Sequence, residues 1–279
     1  MTTELFPESP RVIYSNSPLT QVICQLRFPP ILRIESDPPA DFQDRIRTIF
    51  PLLERRAQNP GLPEGVPPEI ARVLMGNLPS GPSYVFQTED RRNTITLSPD
   101  ALALSTTKYT RWEGFRKLLD PSLNALTDIY GPSFFSRIGL RYQNAIRRDA
   151  LGLADRPWSE LLIPAILGIL AEPQFEANIQ EIRKAIRAKF PQDPGGLFVQ
   201  HGFGGEKARD QNVYLIDFDF YTEKTEVPHA VSILDKFHTR AGHAFRWCIS
   251  PILHGSLGPQ PVDITGDDRV DDTRSRTTR

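Results

Sequence analysis

The chain has 279 residues, and its 33 Lys and Arg against 34 Asp and Glu leave a formal net charge of -1, which argues against a nucleic-acid binder driven by overall charge. A hydrophobic content of 39% argues against a wholly disordered chain. The longest apolar run, "LLIPAILGIL" at 161–170, would span about 15 Å as a helix, half a bilayer core, so no membrane span is expected.

The opening "MTTELFPESP" has neither the apolar core of a signal peptide nor the basic amphipathic pattern of a transit sequence, and a cytoplasmic protein is expected. The first strand is "QVICQLRF" (21–28): Val22, Cys24, Leu26 and Phe28 alternate with Ile23, Gln25 and Arg27. "FPPILRIESDPPA" reads as a connector with extended structure. Helical spacing of Phe42, Ile46, Ile49, Leu52 and Leu53 predicts a helix over 41–56, kinked at Pro51. Residues 57–83 form a Pro/Gly-rich excursion with a short helix at 68–75.

Three runs, 84–90, 93–99 and 101–109, read as a meander with a turn at "SPD". A stripe of Trp112, Phe115, Leu118, Leu119, Leu123, Leu126 and Ile129 predicts a helix over 111–131, stopped by Gly131 and Pro132. Residues 134–146 form a strand, with Ile138, Leu140, Tyr142 and Ile146 on one face and Arg137, Gly139, Arg141 and Gln143 on the other. Residues 158–171 are helical but broken by Pro164, whereas 175–191 fit a helix or a strand. Strands at 195–203 and 212–223 flank the turn "GEKARDQ", an amphipathic helix covers 230–249, and a disordered tail is expected over 258–279. These runs predict an α+β fold, an antiparallel sheet with helices on one face. They group as an N-terminal half (1–150) and a C-terminal half (151–257). The two halves echo each other, since "ALALSTTKY" before the Trp112 helix parallels "VYLIDFDFY" before the Phe237 helix, which suggests a duplicated unit.

The segments "YSNSPLTQVICQLRF", "LSPDALALSTTKYTRWEGF", "RIGLRYQNAI", "YLIDFDFY" and "LDKFHTRAGHAF" carry a resemblance. Over residues 12–257 the chain resembles a sporadically distributed family of uncharacterised bacterial proteins. The resemblance implies a bacterial source without implying an activity, and a sporadic distribution is compatible with an accessory component of a mobile or defence-type system.

Period-two alternation places Gln25, Arg27, Arg137, Arg141, Gln143, Asp217 and Asp219 on the sheet face opposite the core. Two readings follow. The arginines and aspartates neutralise each other across strands, or they line a ligand groove between the halves. In that groove Arg27 and Arg141 would take an anionic group and Asp217 and Asp219 would act as acid, base or cation ligand. We expect the side chains to close on one another. Tyr109, Trp112 and Phe115 read as a staple between helix and sheet, or alternatively as an aromatic cage or base-stacking surface beside Arg111, Arg116 and Lys117.

His238 and His243 lie five apart, the wrong spacing for a zinc helix, while His238 with Asp235, at i and i+3, reads as a helix-surface pair or alternatively as an oriented base. His201 borders a glycine-rich turn that matches neither a dinucleotide fingerprint nor a P-loop, and His229 and His254 stand in loops. Cys24 and Cys248 sit in apolar runs as buried thiols. No hydrolase elbow or zinc set is present, so no cofactor or metal is expected. These readings favour a non-enzymatic binding or interaction protein acting through a protein partner. An enzyme or sensor with an anionic ligand in the Arg/Asp groove stands second, and a nucleic-acid module third.

Overall fold

The computed structural model describes residues 4–56, 83–176, 178–203 and 213–262. Nine antiparallel strands form one sheet in the order β3-β4-β5-β6-β2-β7-β10-β9-β8. They are β2 (Leu19–Arg27), β3 (Leu52–Arg56), β4 (Ser83–Gln87), β5 (Asn93–Ser98), β6 (Ala101–Thr106), β7 (Phe135–Arg147), β8 (Ile182–Lys189), β9 (Gly196–Phe203) and β10 (Val213–Thr225). Two long helices, α3 (Trp112–Tyr130) and α7 (Ala230–Cys248), pack on one face, α3 against β6 and α7 against β7 and β10. Short helices complete this layer: α1 (Leu32–Ser36), α2 (Ala40–Ile46), α4 (Trp158–Leu161), α5 (Pro164–Leu167), α6 (Pro173–Glu176) and α8 (Pro251–Ser256). The fold is therefore α+β, as the pattern of runs predicts.

The alternation in each central strand decides which face is buried. Val22, Cys24, Leu26, Ile138, Leu140, Tyr214, Ile216, Phe218 and Phe220 are all buried under the helices. Each fully buried large side chain contributes about 1.5–3 kcal/mol. Gly131 ends α3 in the left-handed region at φ 53, donating its N–H to the Thr127 carbonyl. From β2 the chain runs through short helices and four strands, β3 to β6, into α3; from β7 it runs through short helices and three strands, β8 to β10, into α7, and β6 and β10 lie beside β2 and β7.

Several expectations are corrected. The helix over 41–56 ends at Ile46, and Leu52–Arg56 is strand β3, paired with β4. Pro51 lacks an N–H and disfavours helical backbone at Phe50, so the chain leaves the helix instead of kinking. The connector after β2 contains helix α1, which buries Ile34. The ambiguous run resolves to strand β8, since β9 presents an edge that pairs with it over eight residues. Pro259–Pro261, placed in the tail, form β11 and pair with β1 (Val12–Tyr14). Main-chain hydrogen bonds hold this ladder, so the lack of large side chains does not prevent it. The short helix at 68–75, the turn "GEKARDQ" after β9 and the rest of the tail lie outside the described residues.

Candidate functional site

The polar face of the sheet is closed. Asp219 stands directly across from Arg141, and Gly139 from Tyr221. Each arginine nevertheless reaches along the sheet to a different carboxylate. Arg141 donates from Nε to both oxygens of Asp217, at 2.8 and 3.0 Å, and from Nη2 to the same group. Arg137 donates from Nη2 to both oxygens of Asp219, at 3.0 and 2.8 Å. The Arg137 side chain lies over Gly139, where an added Cβ would come within 2.3 Å of Nη1, and it also faces the Tyr221 ring. Gly139 thus makes room for the ion pair. Burial pushes the Asp219 carboxyl above its ordinary value, with Arg137 opposing. Arg27 bonds Asp100 at 2.8 Å. The side chains close on one another as expected, and the alternative anion seat at Arg27 and Arg141 has both guanidiniums committed to carboxylates of the chain. Asp217 and Asp219 are likewise committed to arginines.

The histidines are held by groups within the fold. Asp235 does not orient His238; it accepts from Trp112 Nε1 at 2.7 Å and from Arg116 Nη1 at 3.0 Å. His238 Nδ1 meets the Tyr142 hydroxyl at 3.1 Å, and its ring stacks on Trp112 at 4.9 Å with 6° between planes. Burial lowers its pKa to about 4, so it is neutral near pH 7. His201 lies inside β9, bonded through Nδ1 to the Tyr214 hydroxyl at 2.9 Å and likewise lowered by burial to about 4. His254 is on α8 and bonds the Tyr14 hydroxyl at 2.9 Å. Tyr109, Trp112 and Phe115 do come together, with Trp112 stacked on Phe115 at 5.6 Å and Tyr109 packed against Phe115 and Tyr142. Trp112 stacks on two protein rings, so the cluster is a staple and not a cage.

Beside this staple lies a cleft of about 480 Å³. Three segments build it: a strap running over residues 9–19, the turn Tyr109–Trp112, and one face of α7 from His238 to Arg246. The strap is fastened along its length. Glu4 accepts from Arg240, Phe6 packs on Trp247, and Arg11 makes two bonds to Glu113 at 2.7 and 2.9 Å. The pairing of β1 with β11 continues through bonds from Ser15 and Asn16 N–H to the carbonyls of Gly258 and Leu257. The Arg11 guanidinium holds the Glu113 carboxyl down at about 2.

Val12, Ile13, Tyr14, Leu19, Trp112 and Phe245 supply apolar lining, whereas the Tyr109 hydroxyl is buried without a hydrogen-bond partner among the described residues. Burial pushes the Tyr109 phenol up; the neighbouring Tyr142 hydroxyl is close enough to oppose that push, but no hydrogen bond of sound geometry joins the two. Gly242 leaves open space on the helix, since an added Cβ would meet nothing within 4 Å. Sequence reasoning missed Arg11, Tyr14, Gly242 and Arg246 as site residues and set His243 aside on its spacing to His238. The available signal was helical: His238, Gly242 and Arg246 recur every four residues, as do Thr239 and His243, so one stripe of α7 faces the cleft.

Two of the three serines lining the cleft are tied to backbone, Ser15 donating to the Gly258 carbonyl and Ser17 accepting from Leu19 N–H. Burial raises both cysteine thiols to about 12. Among the described residues, no group of three His, Cys, Asp or Glu could hold a metal ion, and no helix is long and apolar enough to cross a membrane. Compared with protein-family models and with curated proteins, the chain matches none.

Proposed function

We propose that this is a non-enzymatic binding protein and that its ligand seat is the cleft beneath the strap. One observation carries the reading: the cleft of about 480 Å³ is lined mainly by apolar side chains, with a few polar ones such as Thr110, His243 and Arg246 among them. Its volume suits a small molecule, and few convergent polar groups among apolar walls are what such seats present. Binding is favoured over catalysis by the state of the nucleophiles. The thiols are buried and protonated, the bonded cleft serines contact main chain, and His238 engages a tyrosine whose pKa burial drives upward.

Gly242→Phe tests the seat, since a side chain there enters open space in the cleft. Removing a helical glycine should add about 0.5 kcal/mol of stability. Two fluorescent probes, anilinonaphthalene sulfonate and its uncharged relative phenylnaphthylamine, should between them show saturable one-to-one binding to the wild type. The variant should melt no lower and lose that binding. Probe binding that survives Gly242→Phe unchanged, or absent binding by both probes, overturns the assignment.

A further inference from the structure

The arginines show what the cleft accepts. Among the described residues, seven arginines are half-buried: Arg27, Arg116, Arg137, Arg141, Arg148, Arg240 and Arg246. The first six each have a carboxylate within ion-pairing distance. Arg246 has none among the described residues; its Nη1 donates to the Ile249 carbonyl at 3.2 Å, and its guanidinium makes no further hydrogen bond to them. Partly withdrawing a guanidinium from water without a counter-charge is unfavourable, which is why the other six are paired. Arg246 lines the cleft, and among the described residues no Asp or Glu lines it. Of the other basic groups there, Arg11 is balanced by Glu113, Arg111 is exposed to solvent and His238 is neutral. The Arg246 charge is felt nearby. It opposes the upward push of burial on the Tyr14 phenol, and it adds to the lowering that burial imposes on His254.

We infer that the cleft takes an organic anion, with its carboxylate, sulfonate or phosphate on Arg246 and its apolar body against Tyr14, Leu19 and Phe245. This rests on the cleft being the seat. The anion supplies the counter-charge that the other six arginines find within the chain, and Arg246 is the specificity-determining residue. A charge-assisted hydrogen bond in a partly desolvated site strengthens binding by about tenfold.

The same two probes test the charge separately from the seat, because they differ mainly in the sulfonate. The sulfonate probe should bind about tenfold tighter than phenylnaphthylamine, and added salt should weaken only the sulfonate. Arg246→Gln should cost the sulfonate probe about tenfold while leaving the uncharged probe unchanged. If both probes bind alike, are both blocked by Gly242→Phe and both ignore Arg246→Gln, the anion inference fails and the seat stands. If neither binds, or Gly242→Phe blocks neither, the seat itself fails.

Discussion

Two arginine-bearing regions, the open face of the sheet and the cleft under the strap, reach opposite electrostatic ends. On the sheet, Arg137 and Arg141 meet Asp219 and Asp217 with several hydrogen bonds each, and the surface closes. In the cleft, Arg246 meets a backbone carbonyl and no described carboxylate, and the surface stays open. The difference comes from how neighbours are supplied. Adjacent strands bring side chains together at fixed spacings, so carboxylates placed on β10 fall within reach of arginines on β7. The cleft is framed by segments distant in sequence, and their described lining includes no acid. A paired arginine stabilises the fold, whereas an unpaired one is available to a ligand.

The sharpest way to break this contrast is to remove an arginine from each region. Arg137→Ala leaves Asp219 largely buried and unpaired, and urea unfolding should show a loss of about 3 kcal/mol. The double variant Arg137→Met/Asp219→Leu should recover most of that loss. If Arg137→Ala costs under about 1 kcal/mol, the closed face is no more than a solvated surface pair.

Counted per pH unit, the acid dependence is next in size. A histidine whose folded pKa lies below its ordinary 6.5 takes up its proton on unfolding. His201 and His238 both do this, so their contribution is fully present above pH 6.5 and is lost as the pH falls to about 4. Stability followed by denaturant titration should drop by about 1.4 kcal/mol per pH unit for each histidine across that window. His201→Gln should remove about half of the slope. A profile that stays flat down to pH 4 would move the acid-sensitive groups away from both histidines.

The smallest expected effect completes the contrast. Arg246→Gln should change stability by no more than about 0.5 kcal/mol, because no described carboxylate loses its partner. A loss as large as that from Arg137→Ala would make Arg246 a structural residue and erase the distinction between the two regions.

The closed face was legible before the cleft for the same reason that it is closed. A period of two assigns every second residue of a strand to one face, so Arg137, Arg141, Asp217 and Asp219 could be grouped and their mutual pairing anticipated. What alternation does not give is direction. Arg141 stands across from Asp219 yet bonds Asp217, and Arg137 passes over Gly139 to reach Asp219. The long helices were legible from their apolar stripes, but their polar stripes were read residue by residue, and the step of four from His238 through Gly242 to Arg246 passed unnoticed. Strand β8 was ambiguous because its partner edge is a property of the fold and not of its own sequence. The strap was illegible: Val12–Tyr14 is too short for periodicity, and its partner β11 lies in a stretch with almost no large apolar residues.

The pairing of β1 with β11 has a kinetic meaning. Ser15 and Gly258, joined across this ladder, are separated by 243 positions in sequence. Contacts of such separation carry a large loop-closure entropy when made first and a small one once the intervening sheet has formed. The strap should therefore dock late in folding and exchange its amide hydrogens early under native conditions. On that schedule the cleft matures only after the nine-stranded sheet is in place. A nick between Ser256 and Gln260 would leave that sheet standing while loosening one of the fastenings of the strap that frames the cleft.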